Sequence, residues 1–90
     1  MEKAIARIAD MERAFDTLRG ANAEYIRTDA AMQKLFADLV DYYENGRWLH
    51  DYELDERGLL PSTLKRGVLS QDAVYDFLDN LNAEEDHYEV

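Results

Sequence analysis

Met1, Ala4, Ile8, Met11, Phe15, Leu18, Asn22 and Tyr25 follow one another in alternating steps of three and four, with one polar member among apolar ones. That spacing is the seam of a heptad helix and predicts a single helix over about 2–26. Gly20 falls opposite the seam, where glycine lowers helix propensity by about 1 kcal/mol without disturbing packing. It therefore reads as a soft point within the helix. Asn22 either pins the register or marks where the seam meets water near the helix end, and the second is the simpler reading.

A second apolar face follows in "RTDAAMQKLFADLVDYYENG", at Met32, Leu35, Phe36, Leu39, Val40 and Tyr43. Thr28 or Asp29 can cap its start and Asn45-Gly46 can stop it, so the spacing predicts a helix over about 29–45. The short connection folds it back on the first as a long antiparallel helical hairpin. At 1.5 Å per residue the two helices are about 37 and 25 Å long, which leaves about 12 Å of the amino-terminal seam uncovered. Ile5, Ile8 and Met11 then need a cover, either from the carboxyl-terminal part of the chain or from a second copy.

Periodicity weakens between 47 and 70. Trp48 and Tyr52 suit a short helix ending near Gly58, but Leu54, Leu59 and Leu60 fit that face poorly, so the segment reads as an ordered acidic connector with short helical turns. Pro61-Ser62 can open one such turn and Gly67 can close it in a left-handed conformation. Ser70 reads as the cap of a third helix, about 71–82, with Val74, Phe77, Leu78 and Leu81 inward and Asp72 near its positive end. "AEEDHYEV", 83–90, is acidic, lacks core formers and reads as a frayed tail. The expectation is one all-α domain over 1–90.

Composition supports this. Ninety residues suit one core, and 47% hydrophobic residues with four glycines and one proline favour helix over sheet or disorder. There is no cysteine, hence no disulfide and no thiolate metal site. No segment approaches the ~20 apolar residues of a membrane span, and the amino terminus alternates charge with apolar residues, unlike a signal peptide; a cytoplasmic location is expected. The net charge of −10 is concentrated toward the carboxyl-terminal half, where Lys65 and Arg66 form an isolated basic island. That balance repels a phosphate backbone, so direct nucleic-acid binding is not expected.

The stretch "YYENGRWLHDYELDERGLLPSTLKRGVLSQDAVY", 42–75, carries paired tyrosines, a Trp48–Glu56 segment, Gly58, Leu60-Pro61 and "LKRGVLS" at 64–70. With the heptad helix before it, this pattern resembles a bacterial family of short, acidic, helical proteins catalogued as a domain of unknown function. The resemblance implies an all-α fold and brings no activity, cofactor or partner. Gln71 stands where an acid is usual, and the final helix is shortened.

Candidate chemistry centres on "DYELDE", which places Asp51, Glu53, Asp55 and Glu56 within six positions. As a calcium loop it fails, because the sixth position holds Glu56 instead of glycine and the twelfth holds Ser62 instead of an acid. The carboxylates have an internal use in an electrostatic clasp from 51–56 to Lys65 and Arg66, although those bases also suit the negative end of their own helical turn. Trp48 and Tyr52, with Tyr42, Tyr43 and Tyr75, are either core or an aromatic recognition patch. His50 and His87 are far apart, and the Glu84-x-x-His87 spacing lacks the second pair that a carboxylate-bridged metal site needs. Ser62 and Ser70 lack a base and an oxyanion loop.

No enzyme, cofactor or metal is therefore expected. The reading is a non-catalytic protein-interaction module. Asp51, Glu53, Asp55, Glu56, Trp48, Tyr52, Lys65 and Arg66 are its candidate interaction residues, and Ile8, Met11 and Phe15 form a candidate homodimer seam. The alternative is an acidic nucleic-acid mimic, with Asp72, Asp76 and Asp79 along one helix face. Its charges fall about 5 Å apart against 3.4 Å per strand in DNA, too sparse for one helix alone.

Overall fold

A computed structural model describes residues 2–70 and 72–88, the side chains from Asn82 onward excepted. Helices α1 (Glu2–Arg19), α2 (Ala23–Thr28), α3 (Ala30–Glu44), α4 (Arg47–Glu56) and α5 (Ala73–Tyr88) follow in order, with a 3-10 turn at Gly67–Leu69 between the last two. The fold is all-α, with no strand among the described residues.

The helix expected over 2–26 is two helices. At Gly20–Asn22 the Ala21 N–H bonds back three residues to the Leu18 carbonyl at 3.1 Å. Asn22 is extended, and its side chain accepts the Tyr25 N–H at 2.7 Å. Asn22 is thus no register pin; it is exposed just beyond the end of α1, where it caps α2. The restart changes which residues face inward, so Ala23 and Ile26 are buried while Tyr25, on the expected seam, is exposed.

Helix α3 lies where the apolar spacing places it. Asp29 ends α2 and starts α3, its carboxylate accepting the Met32 N–H at 3.0 Å, while Gly46 stops the run at a left-handed φ of 85°. Gly46 also starts α4, a full helix of ten residues where only short turns are expected. Gly58 (φ 69°) closes it. The Leu59 N–H reaches the Leu54 carbonyl at 3.1 Å and the Gly58 N–H reaches Asp55 at 3.0 Å, both bonds of a Schellman cap. Helix α5 begins directly after Asp72, whose carbonyl accepts the Asp76 N–H, so Asp72 rather than Ser70 precedes the first turn. It runs six residues past the expected end, through helix formers Ala83, Glu84 and Glu85. Glu89 and Val90 lie outside the described residues.

The amino-terminal seam is covered by the chain itself. Helix α1 packs on α3 and on the 3-10 turn, which also contacts α4 and α5. Ile8, Phe15 and Leu18 meet Leu39, Val68, Leu69 and Val74 in one buried cluster, with Met11 half-buried at its edge. Ile8 and Phe15 are 0% exposed in the single chain, which corrects the homodimer seam: the area it required is already spent on the chain's own core.

One buried acid holds the 3-10 turn in place. Glu12 of α1 is only 6% exposed, and its Oε1 accepts the buried Val68 N–H at 3.0 Å. Gly67 is not left-handed; it allows close approach, since a Cβ there would stand 3.0 Å from Glu12 Oε1 and crowd it. Glu12→Ala orphans a buried donor and is expected to lose about 1–3 kcal/mol in urea unfolding, whereas Glu12→Gln keeps an acceptor and loses less.

Candidate functional site

The fold takes "DYELDE" apart. Helical spacing turns Asp51 inward, leaves Asp55 half-buried and sends Glu53 and Glu56 outward. Asp51 is 0% exposed. Arg7 of α1 grips both of its oxygens, Nε to Oδ2 at 2.8 Å and Nη2 to Oδ1 at 2.5 Å. The Tyr42 hydroxyl of α3 donates to Oδ2 at 2.7 Å, and His50 Nδ1 lies 3.4 Å from Oδ1.

Burial pushes the Asp51 carboxyl upward, but the Arg7 and Tyr42 hydrogen bonds, the Arg7 charge and the His50 contact outweigh it and hold the group below the usual carboxylate range. Burial, then the bond to Asp51, pushes the Tyr42 hydroxyl far above the ordinary tyrosine value. The bond to Asp51 likewise raises Arg7, against the opposing effect of burial. Asp51 is thereby corrected from a surface recognition residue to the knot that ties α1, α3 and α4.

The expected clasp contracts to one pair. Arg66 Nη1 donates to Asp55 Oδ1 at 2.6 Å, while Lys65 stays exposed. Among the described residues no group of three or more histidines, cysteines or acids is arranged to hold a metal ion. The side chains of Glu84 and His87 lie outside the described set.

The aromatic residues do gather. Trp48 is 8% exposed, and its Nε1 donates to the Val68 carbonyl at 2.8 Å, which fixes the indole as a floor. Tyr52, one turn on, stacks on it at 5.1 Å with the planes 14° apart, and Tyr43 of α3 tilts against its ring at 5.1 Å and 59°. Leu49, Tyr75 and Asp72 complete the wall of an open cleft of about 440 Å3 between α4 and the start of α5. Leu49 and Tyr75 are 52% and 57% exposed, so two large apolar surfaces stand in water at the mouth.

The cleft is electronegative and lacks a cation among its lining residues. Partial desolvation, then the charges of Glu56, Asp55 and Asp72, raises the Tyr52 hydroxyl above its ordinary value. A second cleft, beside the Asp51 knot, is lined by Arg7, Met11, Asp38, Asp41, Tyr42 and Arg47. Its cations are already engaged, Arg7 by Asp51 and Arg47 by Asp41.

A family model described as a domain of unknown function (DUF4298) matches residues 1–88. The chain belongs to the DUF4298 family. No curated protein and no solved structure matches it. The "W-x-x-DYE" segment supplies both the floor of the aromatic cleft and the buried knot of this DUF4298 chain, since Trp48 and Asp51 share the inner side of α4.

Of the sequence-derived candidates, Trp48 and Tyr52 lie in the cleft with Tyr43 and Tyr75, whereas Tyr42 is spent on Asp51. The sequence does not single out Leu49, and it places Asp72 near the dipole of the third helix and on an acidic face without joining it to the aromatic residues. A leucine beside the only tryptophan, and an acid three residues before a tyrosine, are the available sequence signals. No helix among the described residues is long and apolar enough to cross a membrane.

Proposed function

We propose that this chain is a non-catalytic protein-interaction module that docks a basic segment of a partner protein in the cleft formed by Tyr43, Trp48, Leu49, Tyr52, Asp72 and Tyr75. The observation carrying this reading is the exposure of Leu49 and Tyr75 at the mouth of an open, electronegative aromatic cleft. Aromatic anchors in a preformed pocket are what dominate binding energy at interfaces, and surrounding charge selects the partner's sign. The chain's net charge of −10 favours a cationic partner at longer range. The titratable groups Arg7, Tyr42 and Asp51 are committed to one another with Asp51 wholly enclosed, which suits cohesion of the helices better than proton transfer to a substrate.

A photo-crosslinking amino acid at position 75, in cells that express the protein natively, is expected to join discrete proteins through peptides rich in lysine and arginine. The same probe at Glu24, on α2, is expected not to do so. Asp72→Lys with Glu56→Lys should abolish those adducts while helicity is retained. Adducts of equal yield from both positions, or adducts through acidic peptides, would sink the proposal. Asp51 is unsuitable for charge reversal, because changing it tests the fold instead of the surface.

A further inference from the structure

The open cleft between α4 and α5 carries two features that act on different properties of a cation. One is the set of aromatic faces: Tyr52 lies nearly parallel to the fixed Trp48 ring, and Tyr75 stands exposed across the opening. The other is Asp72, an exposed carboxylate on the same wall, immediately before the first turn of α5. No described cation of the chain itself occupies the wall.

A lysine ammonium is a compact, strongly hydrated point charge, and an open cleft gives it little reason to surrender that water. A guanidinium is planar and weakly hydrated. It stacks flat on aromatic faces while presenting paired N–H donors, edge-on, to a carboxylate. The cleft offers both partners at once, and its ~440 Å3 accommodates the whole side chain together with part of the flanking peptide.

Resting on the interaction reading above, we infer that the cleft is an arginine pocket. The guanidinium of one arginine in the partner's basic segment lies against the Tyr52 and Tyr75 rings and pairs with Asp72, over the Trp48 floor.

The only tryptophan of the chain is that floor, so intrinsic fluorescence reports occupancy directly. Short peptides of equal charge, one built on arginine and one on lysine, should both change Trp48 emission, with the arginine peptide about tenfold tighter at physiological salt. An acidic peptide of the same length should do nothing. Asp72→Asn, which keeps a helix-capping side chain, and Tyr75→Ala, at an exposed ring, should each erase most of the preference for arginine without altering the circular dichroism spectrum. Equal affinity for the two basic peptides, or a preference surviving both variants, would overturn the arginine pocket and leave the basic-partner reading intact. Failure of either basic peptide to outbind the acidic one would overturn both.

Discussion

Asp51→Ala is expected to lose about 3–5 kcal/mol of folding stability, because the side chain removed ties its own helix, α4, to α1 and α3. The carboxylate is 0% exposed and is bonded by Arg7 and Tyr42, so its deletion leaves a hydroxyl enclosed without an acceptor and a guanidinium facing a gap. Arg7 retains 27% of its side-chain exposure and can turn partly to water, which places the loss toward the lower end of that range. Asp51→Asn keeps one acceptor but confronts Arg7 with an amide, and about 2 kcal/mol is expected. Arg7→Met combined with Asp51→Leu should recover part of the loss, since the attraction and the desolvation of both charges disappear together. Urea unfolding followed by helical circular dichroism measures all three. A loss below about 1 kcal/mol in Asp51→Ala would refute the knot.

The same knot sets the acid limit of the fold. The Asp51 carboxyl is held below its unfolded value, so its contribution is fully present above the ordinary carboxylate pKa and is lost as pH falls through the depressed folded value. Tyr42 acts at the other end. Its hydroxyl is raised in the folded state, so its contribution is present below the ordinary tyrosine range, near pH 10, and is lost as pH rises above it. Wild type should accordingly lose stability below about pH 4 and above about pH 10. The acid arm should be shallower in Asp51→Asn, and the alkaline arm in Tyr42→Phe.

These devices explain where the sequence is legible. Helix α3 reads from its sequence because apolar spacing, an aspartate cap and a stopping glycine agree. Helix α4 does not. Two of its inward or half-inward positions, Asp51 and Asp55, are acids, so a genuine amphipathic helix presents as an acidic connector. Glu12 hides in the same way, as an apparent solvent charge beside Met11 whose function becomes visible only when Val68, far along the chain, arrives to donate. The break at Gly20–Asn22 is invisible to the heptad because Asn22 sits in phase with the seam, although capping, not packing, is its role. The cleft was half legible: its tyrosines and tryptophan stand out by type, but Asp72 joins them only through the return of the chain from the 3-10 turn into α5.

Phe15→Ala is expected to lose a further independent 3–5 kcal/mol, and its dependence on protein concentration separates a chain that closes its own core from one that needs a second copy. The ring is 0% exposed, meets Phe77 of α5 edge to face at 5.6 Å, and carries the Arg19 guanidinium 4.4 Å from its centroid. Removing it forfeits buried area, an aromatic pair worth about 0.5–1.5 kcal/mol and a cation–π contact worth about 0.5–1 kcal/mol. A domain this small has only about 5–14 kcal/mol to lose, so sucrose is needed to keep the variant measurable, and Phe15→Leu serves as the milder companion. The Phe15–Phe77 contact lies within one chain, so the melting midpoints of wild type and Phe15→Leu should not move over a hundredfold range of protein concentration. A midpoint that rises with concentration in wild type, and no longer does so in Phe15→Leu, would return this face to a dimer interface.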